Sequence, residues 1–295
     1  MLQKESEEKY PIRKLATDEF PRLLSEIPDP PKHLYVRGEL PTHTELRYLC
    51  VVGSRKYSPY GKSACETLIA GLAGFPVVIV SGLALGIDSI AHTAALDAGL
   101  TTVAIPGSGL GWNVLHPSSH LTLAKHILKK SGALLSEFEE SFKATPFSFP
   151  QRNRIMAGMS HAVLVIEARA KSGTLITSRL ATEYNRDVFT IPHMIFSGSG
   201  EGPHLLLSLG AAPIRTSNDI LTALGLEHSN AYSSKHVFET LSPDEQKVAE
   251  LLTNPLSRDE LIASLDMPIQ HINILLSAMQ LKGLIVETMG EMRMK

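Results

Sequence analysis

With 295 residues, 28 basic and 30 acidic side chains and a formal net charge of −2, the chain has room for one large and one small domain and no global attraction for polyanions. Hydrophobic residues make up 43% and charged residues 20%, a balance that builds a core and excludes disorder as the main state. No apolar run reaches the ~20 residues of a membrane helix, the charged start MLQKESEEKY is no signal peptide, and Cys50 and Cys65 make no disulfide framework, so a cytoplasmic protein without membrane contact is expected.

In chain order, residues 1–43 hold a short amphipathic helix candidate and then Ile27-Pro28-Asp29-Pro30-Pro31, which suits neither a helix nor a central strand. Residues 44–226 alternate short apolar runs with helical stretches. Strands are predicted at Tyr48–Val52, Val77–Ser81, Thr102–Pro106, Ala133–Ser136, Ala162–Glu167 and Val188–Ile191. Helices such as Gly61–Leu72, Asp88–Ala98 and Leu175–Glu183 fall between them. Strands rich in Val, Ile and Leu, separated by helices, predict an α/β fold: a doubly wound, Rossmann-like, mostly parallel sheet covered on both faces.

Residues 227–240 read as a polar linker. Residues 241–295 then give three helices and a hairpin-like end, the pattern of a small winged-helix domain. Ser242-Pro243-Asp244-Glu245 and Ser257-Arg258-Asp259-Glu260 both fit the capping box. Ile269, Ile272, Leu275, Leu276 and Met279 share one stripe of a third helix that stops near Gly283, and a wing is expected to turn at Met289-Gly290. The module holds 5 basic and 8 acidic side chains, so protein contact is expected of it rather than duplex binding. The polar face of its third helix is expected to present Gln270, His271, Asn273 and Lys282.

In a doubly wound sheet the ligand crevice lies beyond the carboxyl ends of the strands, so loaded residues should follow the apolar runs. Four glycine-bearing turns do: Gly53-Ser54-Arg55, the Ser81–Asp88 run with Gly82 and Gly86, Gly107-Ser108-Gly109, and Lys171-Ser172-Gly173-Thr174. Their N–H groups and helix starts, together with the cations Arg55 and Lys171, predict a phosphate-binding rim. Residues 150–186 add Arg152, Arg154, Arg169, Arg179 and Arg186 to Lys171, against only Glu167 and Glu183. The stretch Phe147-Ser148-Phe149-Pro150-Gln151-Arg152-Asn153-Arg154 mixes rings with guanidinium groups; its phenylalanines read equally as base-stacking rings or as core plugs. His92 follows Asp88 by one helical turn, which predicts a hydrogen bond between them that holds the loop.

Sharper enzyme signatures fail on inspection. Gly61-Lys62-Ser63 has Lys56 where a P-loop needs its upstream glycine, and Gly107–Trp112 has Trp where a dinucleotide fingerprint needs its last glycine. Gly158-Met159-Ser160-His161-Ala162 lacks the closing glycine of a nucleophile elbow. His116, His120 and His126 have no cysteine or carboxylate beside them, so no metal site is expected. One rival remains: Arg179 and Glu183, one turn apart, could imitate the catalytic pair of a phosphoribohydrolase acting on nucleoside monophosphates, or form a surface ion pair. A pure adaptor with a vestigial crevice is a third reading.

Gly53-Ser54-Arg55, the Ser81–Asp88 run with Ile90-Ala91-His92, Phe149-Pro150-Gln151-Arg152-Asn153-Arg154-Ile155 and Ser172-Gly173-Thr174-Leu175-Ile176-Thr177 together resemble the DprA (Smf) family of bacterial DNA-processing proteins. The likeness runs from about Phe20 to the C-terminus. It implies a Rossmann-like core that binds single-stranded DNA without base specificity, a homodimer formed through that core, and loading of the RecA recombinase in natural transformation and recombination. It implies no cofactor and no catalysis. On the family pattern, Arg55 and Lys171 are the basic residues of the DNA pocket, with Ser54, Gly82, Gly86, Arg152, Arg154, Ser172 and Gly173 around them. Gly53, Ser81, Asp88, His92, Phe149, Asn153 and Thr174 support the loops. The chain departs from the pattern at His193, which follows Pro192 where the family has Gly, and at His204, where Asn is usual. The stretch before Phe20 is short for the helical N-terminal module of many members.

Overall fold

The computed structural model describes residues 9–226, 241–252, 256–282, 284–288 and 291–294. The predicted linker 227–240 and the turn at Met289-Gly290 lie outside them. Two compact units, Met1–Glu227 and His228–Lys295, make up the chain.

The first unit is built on nine strands: β1 (Ile12–Lys14), β2 (Tyr35–Gly38), β3 (Arg47–Val52), β4 (Val77–Ser81), β5 (Thr101–Ala104), β6 (Ala133–Ser136), β7 (Ala162–Val165), β8 (Asp187–Thr190) and β9 (Ala212–Pro213). They lie in the order β1-β2-β6-β5-β4-β3-β7-β8-β9. β3 to β9 run parallel, and β1 and β2 add an antiparallel edge. The order reverses beside β3: successive strands proceed outward through β4, β5 and β6 on one side, then through β7, β8 and β9 on the other. That reversal opens a crevice between the loops that follow β3 and β7.

Both faces of the sheet are covered, which is why β4 (Val-Val-Ile-Val-Ser) is buried throughout and shows no alternation. One core layer includes Cys50, Val52, Val78, Val80, Val163 and Val165. The opposite layer includes Leu49, Val51, Ile79, Leu164 and Ile166, as the two-residue period of a strand requires.

Helix Pro59–Ala70 starts where its composition says it should: Ser58 accepts from the Gly61 N–H, and Pro59 occupies the first turn, where no N–H is needed. The chain before residue 44 does more than connect. Its short helix Arg22–Ser25 and Ile27 pack onto helix Ser148–Gly158, where Gly158 leaves room for Leu24 and Ile27, while β2 pairs with β6.

The second unit has helices Pro243–Leu251, Arg258–Ser264 and Ile269–Leu281 and a sheet in the order β10 (Leu256–Ser257), β12 (Glu291–Met294), β11 (Ile285–Thr288). Both expected capping boxes form, through Ser242 with Glu245 and Ser257 with Glu260. A separate apolar core of Val248, Leu261, Ile272, Leu276 and Met279 holds it together, and the arrangement is a winged helix.

Candidate nucleic-acid interface

A pocket of about 760 Å³ opens at the reversal point. Gly53, Ser54, Arg55 and Lys56 line it from the loop after β3, and Arg169, Lys171, Ser172, Gly173 and Thr174 from the loop after β7. Phe149, Pro150, Arg152, Asn153 and Met156 form its wall on helix Ser148–Gly158.

The loops lock each other. Ser54 Oγ bonds the Lys56 carbonyl at 2.7 Å and accepts from its N–H at 3.1 Å, closing a turn that leaves the Arg55 side chain outside. Thr174 Oγ1 donates to the Gly53 carbonyl at 3.2 Å, tying the β7 loop to the β3 loop. Gly86, with φ +86°, brings the β4 loop against the same turn: a Cβ there would stand 2.3 Å from the Ser54 carbonyl oxygen. Arg55 lies 5.3 Å above the Phe149 ring. Among the described residues neither Arg55 nor Lys171 forms an ion pair, so both cations face the pocket uncommitted.

Behind the rim sits a buried charge system. Asp88 is 6% and Arg152 4% exposed. Asp88 Oδ2 accepts from the Gly82 N–H at 3.1 Å and the Ala84 N–H at 3.4 Å, and Arg152 Nη1 donates to the Ile105 carbonyl. Burial pushes the Asp88 carboxyl above its ordinary range, against the opposing pull of Arg152 and the two N–H groups. Gly82 is the spacer of this system: a Cβ there would fall 1.8 Å from Arg152 Nη1 and 2.6 Å from Asp88 Oδ2.

Several expectations need correction. Three loops converge, not four: Ser108 is buried, Gly109 N–H bonds the Phe142 carbonyl, and Gly107 packs on Phe149, so Gly107-Ser108-Gly109 is tied into the wall instead of lining the pocket. Asp88 and His92 do not bond each other. Thr102 Oγ1 spends its proton on the Ile79 carbonyl, so His92 Nδ1–H donates to Thr102 at 2.7 Å. Arg154, expected on the DNA, pairs with Glu137 and with Asp29 and lies outside the lining. Gly82 and Ser81 sit under the loop; Ser81 Oγ donates to the Val51 carbonyl. Arg179 and Glu183 are exposed and line no part of the pocket, and no ion pair joins them among the described residues.

Sequence reasoning missed Lys56, Met156, Pro146 and Ile176 in the lining. Signals existed for Lys56, which continues the Ser54-Arg55 turn, for Met156, which follows Asn153 at helical spacing, and for Ile176, which lies within the Ser172–Thr177 stretch.

A crevice lined by cations without ion pairs, on a doubly wound sheet in a chain that also carries a winged helix, places the protein among Rossmann-like α/β proteins with a winged-helix unit. The description DNA recombination-mediator protein A matches residues 12–225, and the DprA winged helix domain matches residues 237–291. The chain belongs to the DNA recombination-mediator protein A family. Protein Smf of Escherichia coli is 41% identical over 83% of this chain, which covers 63% of that relative's length. DNA processing protein DprA of Streptococcus pneumoniae is 41% identical over 72% of this chain and 74% of its own. The solved S. pneumoniae structure superposes with a TM-score of 0.66 at 39% identity, covering 74% of this chain and 76% of that one. DNA processing protein A of Helicobacter pylori, described for its single-stranded DNA binding mode, gives 0.64 at 30% identity over 73% of this chain and 96% of that one.

Proposed function

We propose that this protein binds single-stranded DNA in the reversal-point pocket without reading its sequence, and passes it to the RecA recombinase. The observation that carries this reading is that Arg55 and Lys171, like Lys56 and Arg169 beside them in the lining, form no ion pair among the described residues, on loops fastened to each other through Thr174 and Gly53. A backbone polyanion needs cations and N–H groups at fixed positions and nothing more. Asp88 is the one carboxylate in the lining, and its Oδ2 is engaged by backbone N–H groups, so the pocket is equipped to hold a phosphate chain rather than to transform it. Family membership and the single-strand binding described for the H. pylori relative support the same reading.

Replacing Arg55 or Lys171 by Ala should weaken binding to all single-stranded sequences alike, by about tenfold or more for a lost charge-assisted contact. Each lost phosphate contact should also flatten the log–log salt slope by about 0.7. Titrations across salt check both, and wild-type affinity and slope in both variants would remove the groove assignment.

The same reading includes a homodimer through the first unit. Met194, Ile195 and Phe196 (80, 78 and 93% exposed), consecutive in the chain, and Leu209 (73%) are the apolar side chains offered to a second copy. A purely monomeric sedimentation profile at every concentration would take this part away.

A further inference from the structure

Of the large apolar side chains exposed in the first unit besides Met194–Phe196 and Leu209, Tyr60 donates its hydroxyl to the Pro192 carbonyl and Leu205 lies on helix Glu201–Ser208, whereas the other four flank the pocket. Tyr57 (46% exposed), Leu85 (49%), Phe147 (84%) and Ile176 (41%) come from four different segments. Each nevertheless lies in the pocket lining or one residue from it, next to Lys56, Ala84 and Pro146 or, for Ile176, in the lining itself. Single exposed apolar residues need no explanation, but four around one cationic mouth do.

The two phenylalanines differ sharply. Phe149 is a wall: its ring lies beneath Arg55, 5.6 Å from the His116 ring and against Gly107. Phe147 has no ring contact among the described residues, yet its backbone is fixed. Its carbonyl accepts from the Gln151 N–H at 3.3 Å, and the next residue, Ser148, is buried with Oγ on the Gly107 carbonyl at 2.6 Å. Leu85 immediately precedes Gly86, whose backbone sits against Ser54 and Arg55.

An isolated phosphate would engage the cations and leave this rim idle. A strand with unpaired bases engages both, because every base has a face that stacks on an apolar or aromatic surface. A duplex keeps those faces inside its own stack. Resting on the DNA-binding reading above, we propose that Phe147, flanked by Leu85, is the base-contacting residue of the site, and that this apolar rim makes the pocket prefer single strands to duplex, the cations attracting both.

The test uses the full chain with an oligo-dT strand, an abasic strand of equal length and a duplex of equal length, at one salt concentration. Phe147→Ala should bind oligo-dT about tenfold more weakly, the loss of one stacked base, and keep its affinity for the abasic strand and the duplex. Phe147→Trp should keep oligo-dT affinity. An unchanged oligo-dT affinity in Phe147→Ala, or an equal loss on the abasic strand, overturns the proposal. Arg55→Ala is the control that separates the two readings, since it should lose affinity for all three. Retained binding there brings down the DNA site and its rim together, whereas failure of the Phe147 variant alone leaves the DNA site standing.

Discussion

The two units handle charge in opposite ways. Around the pocket of the first, the carboxylates are engaged away from the cations that matter: Asp88 accepts backbone N–H groups, and Glu167 accepts the Ser58 N–H and hydroxyl at the start of helix Pro59–Ala70. Arg55 and Lys171 are thereby left free. In the second unit three polar residues of the third helix and its C-cap are engaged internally: Lys282 pairs with Glu245 at 2.7 Å, His271 with Asp244 at 3.1 Å, and Asn273 accepts from Arg258 at 3.0 Å. Outward that helix shows Ile269, Ile274 and Leu281 beside them. A count of charges ranks the two units only weakly; what each charge is bonded to separates them.

The strongest way to break this contrast is to unbalance the buried charge system. Asp88→Ala leaves Arg152 buried without its compensating charge and strips two loop N–H groups of their acceptor. The expected cost is about 3–5 kcal/mol of unfolding free energy, read from denaturant titration. Asp88→Asn keeps an acceptor and should cost less. Equal stability of Asp88→Ala and the parent would mean that the loop is held by Gly86 and Ser54 alone.

A smaller effect sharpens the contrast through pH. Burial pushes the His92 ring down to about 3, with His120 and Arg152 adding to the depression. The unfolded chain takes up this proton near the ordinary 6.5, the folded chain only near 3. Between those values the unfolded state binds more protons, so stability must fall as pH falls, by up to about 1.4 kcal/mol per pH unit. Asp88, shifted upward, works in the other direction but is present in parent and variant alike. His92→Asn, whose side-chain N–H can still reach Thr102, should therefore lose stability less steeply between pH 6 and pH 4. Parallel stability–pH curves would refute this.

How much of this could be read beforehand follows from distance along the chain. The six parallel strands from β3 to β8 were legible because each is a short apolar run with its helix beside it. β1 and β2 were not: Ile12-Arg13-Lys14 is short and polar, and β2 finds its partner about a hundred residues on, as in the pairing of Tyr35 with Ser136. Arg55 and Lys171 were legible because each belongs to a glycine-bearing turn after a strand. The local excess of basic residues in 150–186 misled, since Arg152, Arg154 and Arg186 are taken up by Asp88, Glu137 and Glu26 from remote segments. Spacing along a helix also suggested the Asp88–His92 bond, whereas Thr102, on the adjoining strand, is the partner that tertiary packing supplies.

The smallest expected effect concerns the winged helix. A module in which Lys247 and Lys282 are ion-paired, and which carries 8 acidic against 5 basic side chains, should add nothing to phosphate binding. Truncation after residue 240 should leave single-strand affinity, duplex affinity and both salt slopes within error of the full chain. Loss of duplex affinity on truncation would show that the third helix meets phosphate despite its internal pairs. An unchanged profile would assign its exposed Ile269, Ile274 and Leu281 to a protein surface, because apolar residues on a recognition helix pay for themselves only against another apolar surface.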